Sequence, residues 1–143
     1  MKPQVAKSKG DGVFRGRLIV LIDSRSGSAS EIFARFIQMH QKGVVLGDQS
    51  AGAVMMSRAS PLSMGAEALV LYGMNMTHAD VIMTDGVSLE HIGVTPNVKL
   101  LPSGGELGKL HDPVLAEAFK LFGENVTPEQ AGKFFPFNWS SIE

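Results

Sequence analysis

The chain contains no cysteine. That excludes disulfides, thiol nucleophiles and cysteine-ligated zinc, and leaves a hydroxyl as the candidate side-chain nucleophile. Long apolar runs are missing as well. The longest, Leu18 to Ile22 and Ala68 to Tyr72, are strand-length, far short of the roughly 20 residues a membrane-spanning helix needs. Nor is there an excess of charge of one sign: 13 Lys and Arg face 14 Asp and Glu, for a net charge of −1. A general polyanion binder carries a basic surplus, so nucleic acid is not an expected partner. What is present is the composition of a folded domain. Apolar residues make up 44% of the 143 residues and charged residues 19%, which is too apolar for a disordered chain and long enough for one ordinary core. The 16 glycines point to tight turns and close backbone contacts.

Residues 1–16 are polar and aperiodic and read as a flexible lead-in; residues 17–143 form the domain. No apolar segment follows the early lysines until Leu18, so the start does not read as a signal peptide. The run from Leu18 to Ile22, ending at Asp23, suits a strand buried on both faces. A turn of small residues from Ser24 to Ser30 follows. Glu31 to Gln41 carries a helical stripe of Ile32, Phe33, Phe36, Ile37 and Met39, stopped by Gly43. Val44 to Leu46 is a second short buried strand. Strand, turn, helix and strand within about 30 residues make a βαβ unit. Beyond it, Gly52 to Arg58, Glu67 to Tyr72 and Ala79 to Met83 are candidate strands, and residues 87–105 read as loop with short strand. Asp112-Pro113 opens a helix with a cap and a proline at its first position. Thr127-Pro-Glu-Gln130 opens another with a capping box, and an aromatic tail from Phe134 to Trp139 is expected to pack on the body.

Chemistry concentrates at the turn from Asp23 to Glu31. Ser28 sits where the helix begins, at the carboxyl end of a buried strand, the edge on which open α/β sheets place their sites. The free N–H groups and positive dipole end of the helix would face an oxyanion formed there. This is the logic of a nucleophile elbow, although the Gly-x-Ser-x-Gly pattern is absent. The local alternative is structural: Ser28 and Glu31 are spaced as a capping box, and on local pattern alone a cap is the commoner use of such a serine. The two readings are compatible.

The wider pattern carries more. The block Ser28-Ala-Ser-Glu-Ile32, followed by Gly47-Asp-Gln-Ser-Ala-Gly52 and then Thr84-Asp-Gly…Glu90-His-Ile-Gly-Val-Thr-Pro96, resembles the C-terminal half of the catalytic domain of S41 peptidases. That family holds the tail-specific (C-terminal processing) proteases and the tricorn core protease. The resemblance covers about residues 17–100. It implies an α/β fold, the ClpP/crotonase-like β-α superhelix built from βαβ units, present here as a partial catalytic domain. It implies a serine-type peptidase that hydrolyses peptide bonds through an acyl-enzyme, with Ser28 as nucleophile and the backbone N–H of Ala29 as an oxyanion donor. Tail-specific proteases pair the serine with a lysine, but the corresponding position is Ala53, which cannot take a proton. In the tricorn-like branch the base is an upstream histidine, oriented through a second serine and a glutamate just before the Gly-Val-x-Pro turn. Glu90 falls on that position. The histidine and the family's Asn-Gly-Gly oxyanion turn have no counterpart here, so an upstream segment of the same protein, or another subunit, is expected to complete the site. This part alone is expected to be inactive.

Other candidates weigh less. His40, His78 and His111 read as surface residues; His91 adjoins Glu90 and is a minor candidate for the base, although neighbours in an extended segment point to opposite faces. No histidine pair has ligand spacing on a helix, so a metal is not expected, and the peptidase resemblance implies no cofactor. The methionines at 55, 56, 64, 74, 76 and 83 could line a soft binding groove, but core gap-filling is the commoner use and the favoured reading; Met74 to Met83 reads as a sheet packed on another layer. Expected partners are a peptide or protein substrate, with homo-oligomerisation compatible. The resemblance favours an extracytoplasmic bacterial location. The rival readings are a non-catalytic ligand- or peptide-binding module on the same fold and, more remotely, an acyl-CoA enzyme of the crotonase type.

Overall fold

The computed structural model describes residue 7 and residues 10–136. The candidate lead-in thus lies partly outside the described residues, as do Phe137 and Trp139 of the aromatic tail. A short 3-10 turn at Gly10–Gly12 precedes the first strand. The order is then β1 (Ile19–Ile22), α1 (Ala29–Met39), β2 (Val44–Gly47), β3 (Met56–Met64), β4 (Val70–Ala79), β5 (Val98–Lys99), α2 (Gly104–Gly108), α3 (Pro113–Phe122) and α4 (Pro128–Gly132).

The apolar run at the start behaves as expected. β1 and β2 pair in parallel, Ile19 opposite Val44 through Ile22 opposite Gly47. β5 adds in parallel to the far side of β2, giving the order β1-β2-β5. A parallel pair needs a crossover, and α1 supplies it. The helix buries Ala34 and Ile37 against this sheet, and the core gathers Ile22, Ala34, Val45, Val54, Leu89 and Val94, with Val20, Ile32 and Met83 packed on it. α3 begins with the Asp112 side chain accepting from Leu115 N–H at 2.8 Å and ends with Gly123 in the left-handed conformation. It contacts β1, β2 and α4. The Arg17 guanidinium binds the carbonyls of Leu121 and Phe122 and lies 5.2 Å over the Phe122 ring, fixing the entry of β1 to the end of α3.

Several local expectations change. Residues 87–105 read as loop with short strand, yet α2 opens at Gly104, where Ser103 and Glu106 form a full capping box. The stretch from Ala79 to Met83 is not a strand: β4 ends at Ala79, and beyond it a single bridge joins Ile82 to Ser88. Phe134 of the tail meets Phe119 with ring centroids 5.4 Å apart, while Phe135 stays exposed.

The largest departure is β3 and β4. They form a two-stranded antiparallel hairpin, Ser57 opposite Thr77 through Met64 opposite Val70. It does not pack on another layer among the described residues. Met55, Met56, Met64, Met74 and Met76 are exposed, so five of the six methionines read as core fillers are not in the core; Met83 alone packs against it.

Leu46 is fully buried on the central strand of the parallel sheet. Leu46→Ala should therefore cost about 2–5 kcal/mol of folding stability, read from urea unfolding; a loss under about 1 kcal/mol would show that this sheet is not the stabilising core.

Candidate active site

The turn between β1 and α1 is built by its first residue. The Asp23 carboxylate accepts from Arg25 N–H and from the Ser26 hydroxyl, each at 3.0 Å, and Ser26 N–H returns to the Asp23 carbonyl. Short polar side chains that bond their own backbone make such turns. The turn then pairs edge to edge with the loop after β2: Ala51 N–H donates to the Ser26 carbonyl at 2.9 Å, and Ser28 N–H to the Ala53 carbonyl at 2.8 Å.

Ser28 is the N-cap of α1, and its backbone is strained, with φ 58° and ψ −125°. Positive φ in a non-glycine residue costs energy and persists only where the surroundings impose it. Here the imposition is visible in the two hydrogen bonds of its N–H, to Ala53 O and to Glu31 Oε2 at 3.0 Å. The capping-box pairing is present, but its firm half is the reverse one. The glutamate holds the serine's amide, while the hydroxyl makes no cap hydrogen bond of ordinary geometry to the helix. Ser28 is exposed. An exposed serine held firmly by its amide, on a strained turn from a parallel strand into a helix, has the geometry of a nucleophile elbow.

Glu31 is the residue that sequence reasoning undervalued. It is fully buried, on the helix face it shares with Ala34 and Ile37. Its Oε1 accepts from the Ser50 hydroxyl at 2.5 Å and from Gly52 N–H at 2.7 Å; its Oε2 accepts from Ala53 N–H at 2.9 Å and from Ser28 N–H. Burial pushes its carboxyl up, but these four hydrogen bonds together outweigh burial and hold it below the usual carboxylate range. Ser50, also buried, passes the network on by accepting from Val94 N–H at 2.6 Å. Two glycines make room for this. Gly52 and Gly93 have φ of +70° and +72°, and a Cβ on Gly93 would lie 2.5 Å from the Ser50 carbonyl. The visible signal was a charged residue on the buried face of an otherwise apolar helix stripe; reading it as a cap concealed it.

Glu90 is half-buried and faces the same loop from the other side. Its Oε2 accepts from Val54 N–H at 2.7 Å and Met55 N–H at 3.1 Å. Ser28, Ala53 and Glu90 thus meet on one loop, with Ala53 bonded to the serine's backbone and its next two residues bonded to the glutamate. His91 departs from the extended geometry expected of it. It sits in a turn with φ 61°, its Nε2 3.9 Å from Glu90 Oε1 and its side chain 91% exposed. His40 is exposed at the end of α1, its ring against Phe36. The clefts at the α3–α4 end and across the hairpin lie away from Ser28.

A parallel α/β sheet with a strained serine elbow at a strand's carboxyl end defines a hydrolase-like architecture. Comparison with known proteins makes this specific: the model of peptidase family S41 matches residues 2–100, and the chain belongs to that family. A carboxy-terminal-processing protease of Bartonella bacilliformis is 31% identical over 109 residues, covering 76% of this chain and 24% of the relative. A chloroplastic C-terminal processing peptidase of Tetradesmus obliquus is 31% identical over 85 residues, covering 59% of this chain and 17% of the relative. The chain therefore spans a quarter or less of the length of these relatives. A crystal structure from Parabacteroides merdae, of a protein assigned as a peptidase, shares the fold at TM-score 0.57 and 20% identity, over 76% of this chain and 32% of that one.

Because the folded-state pKa of Glu31 is lowered, its contribution to stability is present above the ordinary glutamate range and is lost as pH falls through the folded value. Glu31→Gln turns an acceptor oxygen into a donor that faces at least one backbone N–H. It should cost about 2–3 kcal/mol at neutral pH and flatten the acid limb of the urea midpoint against pH. An unchanged acid limb would show that Glu31 is not the group responsible.

Proposed function

We propose that residues 17–143 are the nucleophile-bearing part of a serine peptidase catalytic domain, in which Ser28 attacks, Ala29 N–H binds the oxyanion and Glu90 positions the base. The observation that carries this is the strained Ser28 backbone, held by two hydrogen bonds in a residue that stays exposed. Ser28 Oγ forms a bond to the peptide carbonyl carbon, and its proton passes to the base. The tetrahedral intermediate collapses, the amine leaves with that proton, and water then cleaves the acyl-serine ester. Ser28 N–H is already committed to Ala53 O and Glu31 Oε2, so the donor role falls to Ala29, the first residue of α1, whose N–H has no intrahelical acceptor.

The base is a histidine contributed by polypeptide outside this chain, from the same protein or another subunit. Two features support that. Ala53 occupies the position of the family's lysine and has no proton-accepting group. The Glu90 carboxylate is fixed by two backbone amides, as a group that orients a base must be. The substrate is a peptide or protein segment, no cofactor takes part, and the setting is extracytoplasmic. A non-catalytic binding module on the same fold is the second reading, favoured by the alanine at position 53.

In the complete catalytic unit, Ser28→Ala should lower peptide turnover by about 10⁴-fold and abolish fluorophosphonate labelling, with the unfolding midpoint nearly unchanged. Wild-type turnover in that variant would overturn the nucleophile, and a wild type that neither turns over peptide nor labels would favour the binding module. His91→Ala should leave labelling intact; its loss would make His91 the base.

A further inference from the structure

The β3–β4 hairpin is left uncovered by the rest of the described chain, and one of its faces is mainly apolar. Cross-strand pairing places Leu62, Met64, Val70, Tyr72, Met74 and Met76 on that side together with Arg58 and Ser60, while Ser57, Ala59, Pro61, Ser63, Leu71, Asn75 and Thr77 lie on the other. All six apolar residues remain 43–66% exposed. Exposed apolar side chains gathered on one face, unlike ones scattered singly, mark an interaction surface. A lone two-stranded hairpin is marginal in water, and a sheet with one apolar face buries it against another layer.

We infer that this face is the docking surface for the complementary part of an S41 catalytic domain, the same polypeptide that brings the base; the inference rests on the function proposed above. Three observations choose this occupant. β3 starts at Met56, immediately after Val54 and Met55, whose amides hold Glu90. A layer laid on the base of the hairpin therefore adjoins the incomplete site. The Bartonella relative has three quarters of its length outside the match, so catalytic relatives contain the additional polypeptide such a layer requires. Arg58, opposite Met76 at the base of this face, is the one Lys, Arg, Asp or Glu in the two strands, so beyond that corner the face fits an apolar layer rather than a charged one. A second copy of this chain would cover the face but bring no new residue to the serine.

The test mixes this chain with a Bartonella bacilliformis carboxy-terminal-processing protease from which the matched stretch is deleted. The expected result is a 1:1 complex in which hydrogen exchange of the amides of 57–77 slows about tenfold or more, and which Met74→Asp, an exposed position, abolishes. No complex, or a complex that forms without protecting the hairpin or survives Met74→Asp, overturns the docking surface. So does a concentration-dependent dimer of this chain alone that protects the same amides. Fluorophosphonate labelling of Ser28 is read separately in the same mixture. Labelling without hairpin protection leaves the peptidase reading standing and removes the docking surface; protection without labelling does the reverse.

Discussion

Everything near the serine depends on one buried carboxylate. Glu31 is placed on the core face of α1, where an isolated charge would be prohibitively costly, and it is tolerated because four donors converge on it. Those donors come from both sides of the site: Ser28 opens the helix, and Ser50, Gly52 and Ala53 form the loop after β2. One side chain therefore sets the separation between the elbow and the loop on which Glu90 is fixed. It also sits in the first turn of α1, where the helix dipole favours a negative charge. The loop can close around it only because Gly52 and Gly93 adopt backbone conformations that side chains resist.

The molecule divides accordingly into two regimes. The parallel sheet with α1 and α3 is self-sufficient: Val45, Leu46 and Ala34 are fully buried, and the elbow draws its strain from this rigid body. The hairpin is not self-sufficient. Over Met74 to Thr77 its β4 alternates apolar and polar side chains as a half-buried strand should, yet neither of its faces is buried by the described chain. A strand pattern of that kind specifies a face and leaves open what covers it. The order of the chain matters here, because the loop that completes the polar network runs directly into the strand whose apolar side is bare.

What could be read from residues alone follows the range of the forces involved. The βαβ unit was legible because a five-residue apolar run, a 3.6-period stripe and a second apolar run are local signals. The caps at Asp112 and Thr127 were legible for the same reason. Ser28 stood out through its place at the strand end, and Glu90 through family resemblance, not through any local pattern. Glu31 was hidden because its partners lie 19 to 22 residues away, so that sequence shows a helix cap where the structure shows a network. The exposed methionines misled because methionine in an alternating strand signals burial without saying by what. α2 was obscured by two glycines whose helix-breaking tendency was outweighed by the Ser103–Glu106 box.

The charge on Glu31 also bears on what the elbow still requires. A carboxylate whose Oε2 accepts from Ser28 N–H stands within one helical turn of the place where an oxyanion would form. Two negative charges that close repel strongly in a low-dielectric site. Its four donors absorb much of that field, but Ser28 N–H, committed to Glu31 and to Ala53, is thereby lost to the oxyanion. Ala29 N–H and the dipole of an 11-residue helix remain. Each preorganised donor is worth about 10²–10³ in rate, so the proposed mechanism calls for a second donor set against the Glu31 charge. On the proposed reading, the polypeptide that brings the base to Glu90 is also the source from which that donor would come.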